Sequence, residues 1–276
     1  MYEEHWGLAE RPFENRIDNK YYYPAETHQA ALLKLHYAIE NRRAAAVLCG
    51  PGGMGKSLML ESLRNQLADD FRPLVHVVFP TMSGEQLVRY VVNQVAPSPE
   101  DPSTEVWSDL ARFESFLRDS IEADRHPVIM VDEAQLLEQS NLLEPLRLLL
   151  NVCAHEANGE SAWTLVLAGQ PTLLSHVERY HALDERLSVK CMLNRLTQEE
   201  TEAYIQHRIR EAGGGTDSIF AADAIERIHV FSQGIPRKIN RLCDLSLMVG
   251  YAEDLTTIAS DTVDNVNNDL APPVVL

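Results

Sequence analysis

The stretch Gly50-Pro51-Gly52-Gly53-Met54-Gly55-Lys56-Ser57 is the most informative part of this chain. It fits the pattern G-x-x-x-x-G-K-[ST], in which glycines let backbone N–H groups turn inward around a polyphosphate. Lys56 is expected to reach the β- and γ-phosphates, and the Ser57 hydroxyl to hold Mg²⁺. The alternative is a glycine-rich turn that matches by chance, which four fixed positions disfavour. The stretch therefore predicts a nucleotide-binding loop that runs from Gly50 to Leu58.

The flanks of this loop agree with the motif. Residues 44–49 form a short apolar run, which predicts a buried strand, and residues 56–68 predict a helix. A helix N-terminus that faces the phosphates adds its own partial positive charge. The loop is thus expected between a strand and a helix.

Composition indicates an ordinary globular protein. The 276 residues are 45% hydrophobic and 24% charged, and no stretch approaches the roughly 18 apolar residues of a membrane helix. The acidic, polar N-terminus predicts no signal peptide, and four scattered cysteines predict reduced core residues of a cytoplasmic protein. A net charge of −17 argues against DNA binding by charge alone, although a local basic stripe remains compatible with it.

Short apolar runs alternate with helical patterns along the first two thirds of the chain. After the first strand, we expect strands at 74–79, 128–131, 164–168 and 189–193, all without clean alternation. Ser83 and Gln86 form a capping box that opens a helix to about Val95, and prolines predict a loop over 97–103. This order predicts a parallel α/β sheet with helices on both faces.

After about Leu196 the pattern is helical only. Thr197 and Glu200 form a second capping box for a helix to Ala212, and Gly213 to Gly215 ends it. Further helices are expected at 221–230, 236–251 and 260–269, the second with proline in its first turn. A small helical bundle therefore follows the α/β core, and residues 271–276 read as a frayed tail.

Two carboxylates follow the predicted buried strand at 128–131. Asp132 is expected to bind Mg²⁺ directly or through water, and Glu133 to polarise the water that attacks the γ-phosphate. Two solvated acids at a strand end are the alternative. Their position after a phosphate loop favours the catalytic interpretation.

Three further residues are candidates for the chemistry. Gln170 follows the strand at 164–168 and either holds the attacking water or senses the γ-phosphate, or it is an ordinary loop glutamine before Pro171. Arg186 either reaches a neighbouring subunit's γ-phosphate or forms a surface ion pair with Asp184 or Glu185, and Arg179 and Arg195 are weaker rivals. Arg237 is a cation in a first helical turn, where it opposes the helix dipole. A bound phosphate explains Arg237 better than a nearby carboxylate does.

Together these residues resemble the AAA+ ATPases, and more closely the ExeA/GspA-type secretion ATPases with their MshM-like relatives. The resemblance runs through nearly the whole chain. The matching stretches are Trp6-Gly7-Leu8, Arg11-Pro12-Phe13, Tyr22-Tyr23-Pro24, His28 to Leu32, Asp132-Glu133-Ala134-Gln135, Leu143-Glu144, Leu146 to Asn151, Ala168-Gly169-Gln170-Pro171, Glu199-Glu200-Thr201, Tyr204-Ile205, His207-Arg208, Gly234-Ile235-Pro236-Arg237 and Ile239 to Asp244.

The resemblance implies a P-loop NTPase core with a helical lid, and ATP with Mg²⁺ as cofactor. It gives Arg237 the sensor-2 role and Arg186 the role of a finger that acts in trans, which implies a ring or other homo-oligomer. The expected parts are an N-terminal segment (1–43), an ATPase core (44–195), a lid (196–270) and a tail (271–276). ExeA-type proteins continue into a membrane span and a peptidoglycan-binding module, which the resemblance does not reach, and no membrane insertion is expected.

The sequence is compatible with three alternative functions. The first is an ATPase that drives assembly or remodelling of a secretion, pilus or envelope-export complex. The second is a DNA-associated regulator of the TniB/TnsC transposition type, which the acidic charge disfavours. The third is a scaffold that binds ATP and barely hydrolyses it, against which Glu133 and Gln170 argue.

Overall fold

The structure, a computed structural model, describes residues 1–78, 82–97, 106–138, 141–153, 160–215 and 219–270. Position 79 of the second predicted strand, most of the predicted loop at 97–103 and the predicted tail at 271–276 lie outside these ranges. The chain divides into two compact units. One, the sheet unit, contains residues 26–50 and 59–193, and the other, the helical unit, contains 1–25, 51–58 and the chain from 194 onward.

The sheet unit is built on five parallel strands in the order β2-β3-β4-β1-β5. Their bounds are β1 Ala45–Cys49, β2 Leu74–Val77, β3 Val128–Val131, β4 Thr164–Gly169 and β5 Leu187–Met192. The predicted parallel α/β sheet is confirmed, and β5 begins two residues earlier than expected. Parallel strands bring their carboxyl ends to the same edge of the sheet.

Burial differs between the central and the edge strands. Every residue of β1, β3 and β4 is buried, which confirms strands covered on both faces. The same expectation is wrong for the outer strands: β2 alternates between buried and partly exposed residues, and β5 exposes Ser188, Lys190 and Met192. These two strands lie at the ends of the strand order, and among the described residues each has a neighbouring strand on one side only.

The helices along the sheet are α1 Glu26–Glu40, α2 Lys56–Gln66, α3 Gly84–Val95, α4 Val106–Glu122, α5 Leu143–Leu149, α6 Thr172–Arg179 and α7 His181–Asp184. The first three residues of α2 belong to the helical unit. The capping box of Ser83 and Gln86 is formed at the start of α3. Phe113 of α4 and Trp163 before β4 meet edge to face in the core of the sheet unit, with ring centroids 5.9 Å apart.

The helical unit contains α8 Gln198–Glu211, α9 Ala222–Ser232, α10 Pro236–Ala252 and α11 Ser260–Leu270, as expected of the bundle. Thr197 and Glu200 form the predicted capping box, and Pro236 occupies the first turn of α10. Gly234 is required before α10: its φ is +69°, and a Cβ there would lie 2.1 Å from the Leu196 carbonyl oxygen.

A buried arginine holds the N-terminal segment to the bundle within this unit. Arg208 is 5% exposed and donates to the carbonyls of Pro12 and Glu14, at 2.5 and 2.9 Å, and to the Tyr204 hydroxyl at 3.0 Å. That hydroxyl donates in turn to Asn240 of α10 at 2.8 Å. Carbonyl and hydroxyl oxygens thus satisfy the guanidinium, as burial of a cation requires.

The cysteines largely match the expectation of reduced core residues. Cys49, Cys191 and Cys243 are buried, and burial raises the pKa of the Cys191 thiol to about 11, which keeps it protonated. The prediction of a core residue is wrong for Cys153, which is only partly buried and packs against the margin of the sheet-unit core. None of the four cysteines forms a disulfide.

His126, just before β3, is buried and neutral. Burial lowers its pKa to about 4, and the Arg42 guanidinium acts in the same direction. The neutral ring suits the site: its Nε2 lies 2.8 Å from Thr164 Oγ1, whose hydroxyl donates to the Arg43 carbonyl at 2.6 Å. Because that hydroxyl proton is already engaged, Nε2 is the donor to Thr164.

We expect the stability of the fold to fall with acid through His126. The pKa of His126 in the folded state is about 4, below the ordinary 6.5. Its contribution to the free energy of unfolding is therefore complete above about pH 6.5 and is lost as the pH falls toward about 4. This amounts to on the order of 2 kcal/mol between pH 7.5 and pH 5. Urea unfolding at both pH values should show a smaller loss of unfolding free energy in His126→Gln than in the wild type; equal losses would contradict the assignment.

Candidate functional site

The glycine-rich loop forms an open backbone cradle in the helical unit. Gly53 and Gly55 have φ of +82° and +89°, which only glycine adopts readily. At Gly52 and Gly55 a Cβ would meet no atom within 4 Å, so the space over this backbone is open. The side chain of Met54, within the loop, is buried. The cradle therefore offers the room and the backbone that a polyphosphate needs.

Lys56 and Ser57 begin α2 directly after the cradle. Lys56 is 6% exposed, and its Nζ donates to the carbonyl of Pro51 at 3.1 Å, across the loop. The ammonium is thus held against the loop rather than in bulk solvent. A buried cation, a hydroxyl and a helix N-terminus at one open loop fit a phosphate chain with a bound Mg²⁺.

Arg237 meets this loop within the helical unit. The backbone N–H of Arg237 donates to the Gly53 carbonyl at 3.2 Å, and a Cβ on Gly53 would lie 2.8 Å from the Arg237 Cβ. The side chain is exposed, and no carboxylate in the described ranges pairs with it. The alternative of an arginine held by a carboxylate is therefore not met among those residues.

A groove of about 760 Å³ also includes Arg237. Its lining residues come from the N-terminal segment, α10 and α11 of the helical unit: Phe13, Glu14, Asn15, Arg16, Arg237, Arg241, Asp244, Leu245 and Leu270. Arg16 and Arg241 were not predicted as site residues. The N-terminal segment returns to the bundle through hydrogen bonds from Arg208 to Pro12 and Glu14 and from Asn240 of α10 to Asn15. This return places Arg16 beside α10.

Asp132 and Glu133 follow β3 in the sheet unit. Asp132 is 3% exposed and accepts the backbone N–H of Glu133 at 2.8 Å through Oδ1. Glu133 has a left-handed backbone, with φ of +49°, and its side chain is exposed. Non-glycine residues rarely adopt this conformation, so Glu133 marks an unusual backbone turn directly after the buried Asp132. A carboxylate held this way suits a metal ligand followed by a base.

Gln135, which was not predicted as a functional residue, connects Gln170 to Glu133. The side chain of Gln135 donates through Nε2 to Glu133 Oε2 at 2.6 Å and accepts the backbone N–H of Gln170 through Oε1 at 2.9 Å. Gly50 also lies at the end of β4, because its N–H donates to the Gly169 carbonyl at 3.1 Å. Gln135 stood in the matching stretch Asp132-Glu133-Ala134-Gln135, but its long-range partner Gln170 could not be read from spacing.

Arg186 forms neither of the ion pairs considered for it. Its guanidinium donates to Asn151 Oδ1, and Asp184 pairs instead with Lys190. Among the rivals, Arg179 pairs with Glu138, and Arg195 donates to Gln233 at 2.7 Å. A neutral amide orients the Arg186 side chain, and no carboxylate in the described part of the chain pairs with it, whereas a carboxylate neutralises Arg179.

His76 on β2 is a titratable neighbour of Asp132. Burial lowers the pKa of His76, and the Asp132 carboxylate acts in the opposite direction. Its ring is therefore neutral at physiological pH. A neutral ring adds no charge beside the predicted metal ligand.

Comparison with known proteins bears on these features. Residues 39–177, half of the chain, match the AAA domain family. The chain belongs to this family. This AAA chain is thus an ATPase by class, as its loop and strand ends predicted, and the predicted fold of a parallel sheet with flanking helices and C-terminal helices is confirmed.

One relative extends over most of this AAA ATPase. The chain is 31% identical over 255 residues to General secretion pathway protein A of Aeromonas hydrophila, which confirms the resemblance to the ExeA/GspA type. The match covers 91% of this chain and 45% of the relative, so the chain spans about half the length of that protein.

Two solved structures share the fold. Cdc6p from Pyrobaculum aerophilum superposes with a TM-score of 0.68 at 15% identity, covering 94% of this chain and 70% of its own. The ORC2 protein of Aeropyrum pernix, solved as ADPNP-ADP complexes, gives 0.66 at 14% identity, with 94% and 71% covered. At this identity the likeness concerns the fold alone. Within the described ranges, none of the helices combines the length and apolar character needed to span a bilayer.

Proposed function

We propose that this AAA ATPase binds ATP with Mg²⁺ at the loop from Gly50 to Leu58 and hydrolyses it to drive assembly or remodelling of a secretion, pilus or envelope-export complex. The observation that carries the nucleotide chemistry is the open cradle with the buried ammonium of Lys56 held across it. The matching AAA family supports the same chemistry.

The residues divide the work by their chemistry. Lys56 binds the β- and γ-phosphates as a point charge, and the N–H groups of the cradle surround their oxygens. The Ser57 hydroxyl and the Asp132 carboxylate are oxygen ligands of the type that Mg²⁺ prefers. When bound, the metal neutralises charge that develops on the phosphate oxygens.

Glu133 then takes the proton of the attacking water. A carboxylate at the end of β3 is a base that needs only a positioned water to act. Gln170, whose backbone is joined to the same side-chain network, orients this water or senses the γ-phosphate. Arg237 adds positive charge from beside the loop in the sensor-2 role, stabilising the γ-phosphate as hydrolysis proceeds.

The biological task rests on the relative's name. General secretion pathway protein A is similar over 91% of this chain, and the task is proposed by that similarity. The net charge of −17 continues to disfavour the DNA-associated alternative. The proposal also includes a cytoplasmic location and a ring of identical subunits, in which Arg186 reaches the γ-phosphate bound by a neighbouring subunit.

Affinity capture tests the task. A tagged Glu133→Gln chain, which should hold ATP without turning it over, is incubated with lysate of its own host with ATP and Mg²⁺, and Lys56→Ala serves as the control. We expect ATP-dependent enrichment of secretion, pilus or export components. Enrichment of a transposase, together with salt-dependent binding of a DNA probe, would overturn the task and favour the second function.

Arg186→Ala is expected to leave ATP binding intact and to lower turnover at least about 100-fold, because a finger stabilises charge only in the transition state. The matched control is Arg179→Ala, whose charge Glu138 already neutralises and which should turn over normally. Steady-state ATPase assays and light scattering with ATP and Mg²⁺ measure both variants. Normal turnover by an oligomeric Arg186→Ala protein would place the finger elsewhere.

A further inference from the structure

The side-chain amide of Gln135 joins the ends of two strands in the sheet unit. Gln135 lies in a short 3₁₀ turn, Ala134–Leu137, directly after the carboxylates that follow β3. Its Nε2 donates to Glu133 Oε2 at 2.6 Å, and its Oε1 accepts from the backbone N–H of Gln170 at 2.9 Å, just beyond β4. One side chain therefore contacts both the proposed base and the neighbouring strand end.

The orientation of this amide is determined by its partners. A backbone N–H can only donate, so the amide oxygen must face Gln170 and the NH₂ group must face Glu133. Gly169 allows the close approach: a Cβ there would lie 2.7 Å from Gln135 Oε1 and 3.1 Å from its backbone nitrogen. Any side chain at position 169 would push Gln135 away from this bridge.

Among the described residues, Gln135 is the hydrogen-bond partner that holds the Glu133 side chain. The side chain of Glu133 is exposed, and its backbone is left-handed, with φ of +49°. An exposed glutamate samples several rotamers, and only one aims the carboxylate at a given water. A hydrogen bond to an ionised carboxylate is short and strong enough to favour one rotamer.

We propose that Gln135 is a positioning residue for ATP hydrolysis: it holds the Glu133 carboxylate in one orientation and links that orientation to the end of β4 at Gln170. The proposal rests on the role of Glu133 given above. Gln135 acts through Glu133, so its loss should affect the hydrolytic step and leave nucleotide binding alone.

The first test is Gln135→Met, which keeps the length of the side chain and removes both hydrogen bonds. We expect kcat for ATP to fall about tenfold, while the Kd of a non-hydrolysable ATP analogue changes less than about twofold. Gln206→Met is the matched control, since exposed Gln206 donates to Glu202 at 3.1 Å on α8 in the same manner. Unchanged kcat in Gln135→Met, or a loss of analogue binding as large as the loss of kcat, would overturn the proposal.

A double-mutant cycle separates positioning from a general structural effect. If Gln135 acts through the carboxylate, Gln135→Met should change the residual rate of Glu133→Gln by less than about twofold. A further tenfold loss in that background would overturn the proposal. Wild-type turnover in Glu133→Gln would overturn the role of Glu133 and this proposal with it, whereas a dead Glu133→Gln beside an unaffected Gln135→Met would overturn this proposal alone.

A second variant leaves Gln135 itself unchanged. Gly169→Ala places a methyl group 2.7 Å from the amide oxygen and 2.9 Å from Leu173 Cδ2, and the first of these contacts should displace the bridge. In protein that circular dichroism shows to be folded, we expect a kcat loss similar to that of Gln135→Met and no further loss when the two are combined. Independent, multiplicative losses would contradict the bridge.

Discussion

Lys56→Ala is expected to abolish ATP binding, with a Kd weakened at least about 100-fold. Lys56 is 6% exposed, and its ammonium is held across the loop by the Pro51 carbonyl, so it is already in place before ligand arrives. An oriented charge beside two phosphates interacts far more strongly than a mobile surface charge, and each tenfold in Kd is about 1.4 kcal/mol.

Calorimetry with ATP and Mg²⁺ measures this effect directly. Lys34→Ala on α1 removes an exposed lysine and serves as the control, with an expected Kd near that of the wild type. Tight ATP binding by a folded Lys56→Ala protein would remove the phosphate role of the loop, and with it the proposed nucleotide chemistry.

Glu133→Gln is expected to lower kcat by about 10²–10⁴ while ATP remains bound, the range typical of a lost general base. Glutamine has the shape of glutamate but cannot accept the proton of the attacking water. It can still accept the hydrogen bond from Gln135 through its amide oxygen, so the local structure should persist. The variant should therefore trap the ATP-bound state.

Single-turnover assays with radiolabelled ATP resolve rates this low. Glu202→Gln on α8 changes an exposed glutamate in the same way and should leave turnover unchanged. Equal rates in Glu133→Gln and the wild type would remove Glu133 from the chemistry and favour a scaffold whose slow turnover does not need this carboxylate.

Much of the molecule was readable from local patterns. The loop motif, both capping boxes, Pro236 at the start of α10 and the fully apolar central strands each depend on residues close together in the chain. The edge strands were misjudged because neighbouring strands, which local composition does not encode, decide how much of a strand is covered. Cys153 was misjudged for the same reason: its apolar neighbours in sequence do not report its partial exposure.

The partners of the charged and polar side chains could be identified only from the tertiary structure. Arg186 pairs with Asn151, 35 positions away, rather than with the acids beside it. Gln135 meets Gln170 only because β3 and β4 are parallel neighbours whose ends share one edge of the sheet. Arg16 approaches α10 because Arg208 and Asn240 of the bundle bind the N-terminal segment.

The sequence by itself determined the glycine-rich loop between a strand and a helix, the acids after β3 and the α/β class, because backbone preferences and apolar periodicity act within a few residues. Tertiary structure alone decided which amide restrains Glu133, which oxygen orients Arg186 and which strands are edges. Those outcomes depend on pairs of atoms that distant segments bring within hydrogen-bonding distance, and no local pattern carries that information.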